Sequence, residues 1–366
     1  MLSAITFLSK STWYPTIRRE HALANEATKN GFSVRFIEAP SDVRSIRSAP
    51  SDWFSRIGGI TIECDQISVT ERSTLVPGHK NELFRTLDNA LLSRLIQPSL
   101  LHDPIVTYLP WQWSASKKSQ RRVFDCTDPW PRLYPHRESA IRSQLERVTD
   151  EADQIIVVAP ELSEFFPNRQ VHVIPNGVDR QLLAKSPTNL VGDSVMLYLG
   201  TLSERIDFQL ISDVLSALPS WSLDLVGPCA FRGLGDQPSQ ELRNLLNRFN
   251  GRVTLHSPVS RIEAQNFIDK SDVLIAPTFK EFAIGQSSMK TFDAAARGRH
   301  VLSTPGLSTG VEKAPPLLFA DGADAWVDVL RARAFESLTV AEIRSWAEKQ
   351  TWDLRFKDWV SLVVAK

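Results

Sequence analysis

Apolar residues in this chain fall into short runs, each followed by a polar loop and then by a stretch with apolar positions at helical spacing. Residues 3–8 (SAITFL), 33–39 (SVRFIEA), 104–111 (PIVTYLPW), 122–124, 154–159 and 171–174 read as strands. Helices are predicted over 17–30, closed by Gly31, and over 80–96 and 137–151. In the second of these, Leu83, Phe84, Leu87, Leu91, Leu92 and Leu95 recur at helical spacing and are expected in the core. Residues 40–80 are polar and irregular, with two β-like runs around 59–63 and 66–70 and no evident role.

The alternation restarts after residues 179–193 (DRQLLAKSPTNLVGD), the expected interdomain linker. Strands follow at 195–199, 223–226, 253–255, 273–276 and 300–303, separated by helices that end near 218, cover 239–249, end near 270 and begin near 288. Helices at 323–333 and 340–348 and an amphipathic segment over 351–366 finish the chain, the last with Trp352, Phe356, Trp359, Leu362 and Val363 apolar. Repeated βαβα implies an α/β fold of two doubly wound parallel sheets. The expected domains are 1–180 and 181–349.

Composition narrows the partners. Two domains suit 366 residues. Lys+Arg and Asp+Glu balance at 42 each, so no global field draws in nucleic acid. Cys64, Cys126 and Cys229 are widely spaced, which argues against a disulfide framework or a zinc site and for a cytoplasmic compartment. No apolar run approaches the ~20 residues of a membrane span, and the first residues read as a strand, not a signal peptide. A peripheral surface at the inner face of the membrane is left open by Lys, Arg and Trp residues of the first domain, although no basic amphipathic run marks one.

Chemistry gathers in residues 278–305. A strand closed by Pro277 leads to a polar loop and a helix that opens on Ser287 and Ser288, which can cap free N–H groups. Lys290 lies in its first turn, where a cation is poorly placed for the helix dipole but well placed to share an anion with those N–H groups. Alanines 294–296 permit close packing, and Gly298 ends the helix. The segment reads equally as a diphosphate cradle or as a plain βαβ unit with a solvated lysine.

Two stretches of the first domain also carry candidates. The loop after the first strand and the following helical turn hold Ser9, Lys10, Trp13, Arg18, Arg19 and His21, whose arginines can meet a phosphate or simply be solvated. Trp13, Trp111, Trp113 and Trp130 lie near polar loops, where a ring can stack on a sugar or pack in the core. In FDCTDPW (124–130), Asp125 and Asp128 follow a short strand; either can act as a general base or cap a turn.

The order and spacing of VHVIPNGVD (171–179), VMLYLGTLSERID (195–207), LDLVGP (223–228) and SDVLIAPT (271–278) resemble glycosyltransferases of the GT-B fold over nearly the whole chain. The SSMK helix (287–290, with Met289) is similar to a segment of teichuronic-acid-type transferases and of the xanthan-pathway glucuronosyltransferase. The resemblance implies two Rossmann-like domains facing a cleft, with the terminal helix (350–366) crossing back onto the first. It implies a nucleotide-sugar donor, UDP-linked or another nucleoside diphosphate, and no further cofactor or metal. Donor contacts would come from Gly200, Thr201, Ser203, Arg205, His256, Ser257, Val259, Lys280, Glu281, Gln286, Ser287, Ser288, Met289 and Lys290. Asp128 would be the base that deprotonates the acceptor hydroxyl, with Asp125 as runner-up. Lys10, Trp13, Arg18, Arg19, His21 and Trp130 would lie on the acceptor side.

One departure bears on mechanism. Many retaining members carry two glutamates spaced by seven residues around this helix, and Gly285 and Asp293 stand there in this chain. That favours an inverting displacement. The lack of a clustered Asp-x-Asp with nearby His or Asp agrees with independence from metal, and the resemblance implies synthesis of a polysaccharide, glycolipid or natural-product glycoside. The alternatives are a non-hydrolysing sugar-nucleotide epimerase and a catalytically silent subunit that partners an active transferase.

Overall fold

The computed structural model describes residues 4–13, 17–40, 59–64, 66–73, 82–96, 102–184, 186 and 192–365. The chain divides into two compact units, Met1–Pro175 with Trp352–Lys366, and Asn176–Thr351.

Unit 1 is built on an eight-stranded sheet: β1 (Ala4–Leu8), β2 (Ser33–Ile37), β3 (Ile60–Cys64), β4 (Ile67–Glu71), β5 (Ile105–Thr107), β6 (Arg122–Cys126), β7 (Gln154–Val157) and β8 (His172–Val173). Their order is β3-β4-β2-β1-β5-β6-β7-β8, parallel except for the β3–β4 hairpin. The hairpin is the role of the two β-like runs in 40–80: β4 joins β2 in parallel and β3 turns back to cover its edge. Residues 41–58, 65 and 74–80 of that region lie outside the described residues. Helices α1 (Arg19–Lys29), α2 (Glu82–Leu95), α3 (Trp130–Leu133) and α4 (Glu138–Glu151) flank the sheet.

Two expectations are corrected here. Helix α2 forms, but Leu83 and Leu87 are 65% and 53% exposed. Asp88 and Asn89 are buried instead, because Asp88 pairs with Arg72 at 2.6 Å and Asn89 donates to the Trp111 carbonyl at 3.0 Å. Helical spacing establishes the helix; the polar partners decide which face turns inward. The strand expected over 104–111 ends at Thr107, and Pro110–Ser116 is a 3-10 turn.

Unit 2 has a six-stranded parallel sheet of β9 (Val195–Leu199), β10 (Ser222–Val226), β11 (Val253–His256), β12 (Val273–Ala276), β13 (His300–Ser303) and β14 (Leu317–Phe319), in the order β11-β10-β9-β12-β13-β14. Its helices are α5 (Arg180–Ala184), α6 (Phe208–Ala217), α7 (Gln240–Arg248), α8 (Arg261–Lys270), α9 (Lys280–Ala283), α10 (Met289–Ala296), α11 (Gly322–Arg331) and α12 (Val340–Glu348). Ser239, Ser260 and Thr339 cap three of them through side-chain oxygens, as their residue types require. Residues 176–184 belong to this unit. Val178 N–H donates to the Gln350 carbonyl at 2.7 Å, and Leu182 is buried with Phe292 and Ile343. The stretch read as a linker therefore begins as an element of unit 2.

The last helix, α13 (Trp352–Val364), belongs to unit 1. Its buried Trp359 stacks on Phe7 of β1 at 5.6 Å between ring centroids, and Arg121 donates to the Leu362 carbonyl at 2.6 Å. Among the described residues no helix is long and apolar enough to cross a membrane.

Among the parallel strands of each sheet the order reverses direction at one point, between β1 and β5 and between β9 and β12. Open α/β sheets bind ligands outside the carboxyl ends of their strands at such points. The loop with Lys10 leaves β1, and the loop with Gly200 leaves β9.

Candidate functional site

In unit 2 the loop leaving β9 turns at Gly200, whose φ of 140° favours glycine. Gly227, at the end of β10, packs directly against the Gly200 backbone, so a side chain there would collide with it. Two glycines thus hold this loop tight against the sheet edge. Tyr198 on β9 donates its hydroxyl to the Thr201 carbonyl at 2.8 Å.

Lys290 reaches back from α10 into this corner. Its Nζ lies 4.2 Å from the centroid of the Tyr198 ring, and a Cβ at Gly200 would come within 2.9 Å of it. The lysine is held in the corner by packing, not extended into solvent. Among the described residues no carboxylate pairs with it. Burial first, and then the Arg205 charge, lower its pKa to about 8. Two cations and no anion in one corner leave a standing demand for a negative ligand. Arg205 is exposed and Ser203 buried on the same loop.

The serines ahead of α10 act differently from expectation. Ser288 occupies the cap position, but its side chain makes no cap hydrogen bond. The Asn176 amide donates to Ser287 O and Oγ at 3.0 and 3.3 Å, and Ser308 N–H donates to the Gln286 carbonyl at 2.9 Å. These bonds fix the loop while leaving the first N–H groups of α10 unclaimed by a serine hydroxyl. Lys280 and Glu281 are exposed on the short α9, and Met289 is half-buried at the start of α10.

Asp293, one turn after Lys290, was not among the expected site residues. Its Oδ1 is buried without a hydrogen-bond partner, and Arg261 stands 4.0 Å away, itself paired with Asp179 at 2.6 Å. Burial outweighs the Arg261 charge and lifts its pKa to about 6. Residues three apart on a helix share a face, so the spacing of Lys290 and Asp293 was a readable signal. At the end of β11, His256 bonds Asp224 through Nε2 at 2.8 Å and packs at a tilt against the Phe267 ring. Ser257 is exposed, and Val259 packs under the sheet edge.

Unit 1 separates the two aspartates. Asp128, in the loop leaving β6, accepts from Lys10 Nζ at 2.6 Å and Thr127 Oγ1 at 2.7 Å, both on Oδ2. Its Oδ1 makes no hydrogen bond to the described residues, and the side chain is 23% exposed. One oxygen is anchored, and the other is free to take a proton. Lys10 also sits 5.9 Å from the Trp130 ring centroid.

Asp125 is fully buried. Its carboxylate takes both Arg19 Nε bonds, at 3.1 and 3.0 Å, and a 3.0 Å bond from Trp359 Nε1. Burial pushes its pKa up despite these donors. It has no route to an acceptor, so the runner-up base is corrected to a structural ion pair.

Three acceptor-side candidates are held inside the unit. Arg19 is buried, with Nε on Asp125 and Nη1 on the Pro175 carbonyl at 3.0 Å. His21 is buried, accepts from Arg18 N–H on Nδ1 and bonds the Thr12 carbonyl through Nε2, and burial lowers its pKa, so it is a neutral turn-former. Trp130 is buried edge-on against Trp111, with no face for a sugar. Trp111 and Trp113 are buried too, and Trp13 packs on Phe36 and His21. Arg18 stays exposed at the head of α1. Among the described residues no three His, Cys, Asp or Glu side chains are grouped to hold a metal.

No family model matches this sequence. A protein of Bacillus subtilis (strain 168), provisionally named a teichuronic acid biosynthesis glycosyltransferase, is 26% identical over 216 residues. That match covers 53% of this chain and spans about half, 52%, of the relative's length. A sucrose-phosphate synthase from Thermosynechococcus elongatus superposes with a TM-score of 0.76 at 14% identity, covering 98% of each chain. Anabaena HepE, solved in complex with UDP and glucose, superposes with a TM-score of 0.68 at 14% identity, covering 99% of this chain and 98% of its own. At these identities the likeness shows the fold.

Proposed function

We propose that this chain, which has the GT-B fold, is a glycosyltransferase that moves a sugar from a nucleoside-diphosphate donor, UDP-linked by preference, to an acceptor hydroxyl. The observation that carries the reading is Lys290: a half-buried cation beside Arg205, with no acidic partner among the described residues, at the point where the strand order of the unit 2 sheet reverses. A diphosphate supplies the missing charge. The UDP and glucose in the HepE structure agree with that choice of ligand.

In this reading Lys290, Arg205 and the first N–H groups of α10 bind the diphosphate and stabilise the charge that grows on it as the anomeric bond breaks. Side chains and backbone carry that role without calling on a metal. Asp293 accepts a hydroxyl of the donor on its unpartnered oxygen. Asp128 takes the acceptor proton on Oδ1 as the acceptor oxygen attacks the anomeric carbon. Glycine at position 285 removes the carboxylate pair of many retaining members, and Asp128 supplies a base, so the displacement inverts the anomeric centre. The acceptor belongs to a polysaccharide, glycolipid or glycoside, in keeping with the teichuronic acid name of the Bacillus relative.

The test is a thermal-shift screen against nucleoside diphosphates and their sugars, followed by transfer assays with the donor found. Ligand stabilisation grows logarithmically with concentration above Kd, so the true donor stands out. No stabilisation by any nucleotide overturns the reading. Turnover of a UDP-sugar without acceptor to a different sugar identifies an epimerase, and tight UDP binding with neither transfer nor hydrolysis identifies a silent subunit.

A further inference from the structure

A second concavity lies in unit 2, lined by Glu204 and Ile206 of the donor loop and not by Lys290. It is a cavity of about 680 Å³, within the range of about 300–1,000 Å³ seen for ligand sites. Its apolar surface comes from Phe208 at the head of α6, Phe231 and Leu234 in the loop after β10, and Phe279 after β12. Leu234 and Phe279 are 42% and 37% exposed. Large apolar side chains left in water at the mouth of a concavity mark an interaction site.

The charge around it is one-sided. Glu204, Asp213 and Glu241 line the cavity from three separate elements, and Arg232 is the only Lys or Arg among its described lining residues. These carboxylates are not spent on ion pairs. Glu204 accepts from the Arg232 backbone N–H, Asp213 accepts from the Gln209 amide at 2.8 Å, and the Glu241 carboxyl is held below its usual pKa by its own backbone N–H and then by the Ser239 hydroxyl.

We propose that this cavity binds a basic, aromatic-bearing segment of a partner protein. The charges sit on three separate elements, α6, α7 and the donor loop. A peptide with several Lys or Arg side chains can pair with each. The apolar side chains extend past the cavity to its rim, where a small molecule would leave them wet and a polypeptide would cover them. An aromatic anchor between Phe231 and Phe279, flanked by basic side chains at the acidic rim, satisfies both features.

The site shares a wall with the donor loop. Phe279 N–H donates to the Arg205 carbonyl at 3.0 Å, Asp207 N–H to the Pro277 carbonyl at 2.8 Å, and Ile206 bridges Thr278. A segment that holds Phe279 and Glu204 also holds Arg205, so its binding changes nucleotide affinity. That coupling alone rests on the donor reading.

The experiment selects phage-displayed dodecamers on the nucleotide-free full chain and measures the recovered peptides by fluorescence anisotropy. Asp213→Lys/Glu241→Lys and Leu234→Ser change only side chains at or near the surface and serve as folded controls by circular dichroism. Expected are peptides rich in Lys or Arg with Trp or Phe, weakened at least tenfold by the double charge reversal and several-fold by Leu234→Ser, and weakened by added salt. Peptides that are not basic, equal binding to the charge-reversed protein, or a simple alkylammonium that binds as tightly as any peptide each overturn the proposal. Peptide binding is read without nucleotide, so it can stand or fall apart from the glycosyltransferase reading; UDP titration with peptide present reads the coupling.

Discussion

The Lys290 ammonium occupies the space that a side chain at Gly200 would need, with its Nζ 2.9 Å from the Cβ position. A residue on α10 and a residue on the loop leaving β9 therefore depend on each other. The glycine makes room for the cation, and the cation lies over the strand end where an anion can arrive.

Gly200→Ala should displace Lys290 and strain a backbone at φ 140°. Its effect on UDP affinity should match that of Lys290→Ala, a loss of about 10- to 100-fold, the scale of a charged hydrogen bond worth about 1.5–3 kcal/mol. Calorimetric titration with UDP measures both. Unchanged affinity in either variant removes the lysine from the donor site.

Nucleotide affinity should depend on pH in a bell. Lys290, lowered to about 8, carries its charge below that value and loses it as pH rises. UDP affinity should therefore fall above pH 8, approaching tenfold per unit where binding needs the charge. Asp293, raised to about 6, is protonated below that value, and affinity should also weaken as pH drops through 6. The acid limb should vanish in Asp293→Asn. A flat profile between pH 5 and 9 contradicts both roles.

Transfer and binding should separate at Asp128. Asp128→Asn keeps the shape and the Thr127 contact, and should lower kcat by about 10²–10⁴, the usual worth of a general base, with UDP affinity unchanged. Normal transfer by this variant would rule out Asp128 as the base. Lys10→Met should release the anchored oxygen and alter KM for the acceptor more than for the donor.

Asp125 should matter to folding instead. Its loss leaves Arg19 buried and unpaired, and Asp125→Ala should cost about 3–5 kcal/mol in urea unfolding. Trp359→Phe keeps most of the ring packing on Phe7 and loses one hydrogen bond to a charged group, costing about 1.5–3 kcal/mol. Equal stability of Asp125→Ala and the parent protein would deny the buried pair.

The parallel-sheet fold was legible because strands buried on both faces are short apolar runs and crossover helices carry their own period; β9 and β12 needed no tertiary information to be found. Lys290 was legible as an anion-site candidate from its place in the first turn of a helix after a strand. Less legible were residues whose meaning depends on distant partners. Asp125 and Asp128 read as neighbours with one chemistry, but Asp125 lies in β6 and Asp128 in the loop that leaves it, and sequence could not rank their access to solvent.

What the sequence determined by itself is local: which segments form strands and helices, where glycine permits a turn, and which charges are available at the strand ends. Tertiary structure decided which of those charges remain free. Arg19 and Asp125 neutralise each other out of reach of water, and Trp359, from the last helix of the chain, completes their site. Asp88 turns inward because Arg72 meets it. Lys290 is half-buried with no carboxylate among the described residues, and Asp293 keeps an unpartnered oxygen. A buried charge must find a partner, and the partner is set by packing between segments far apart in the chain.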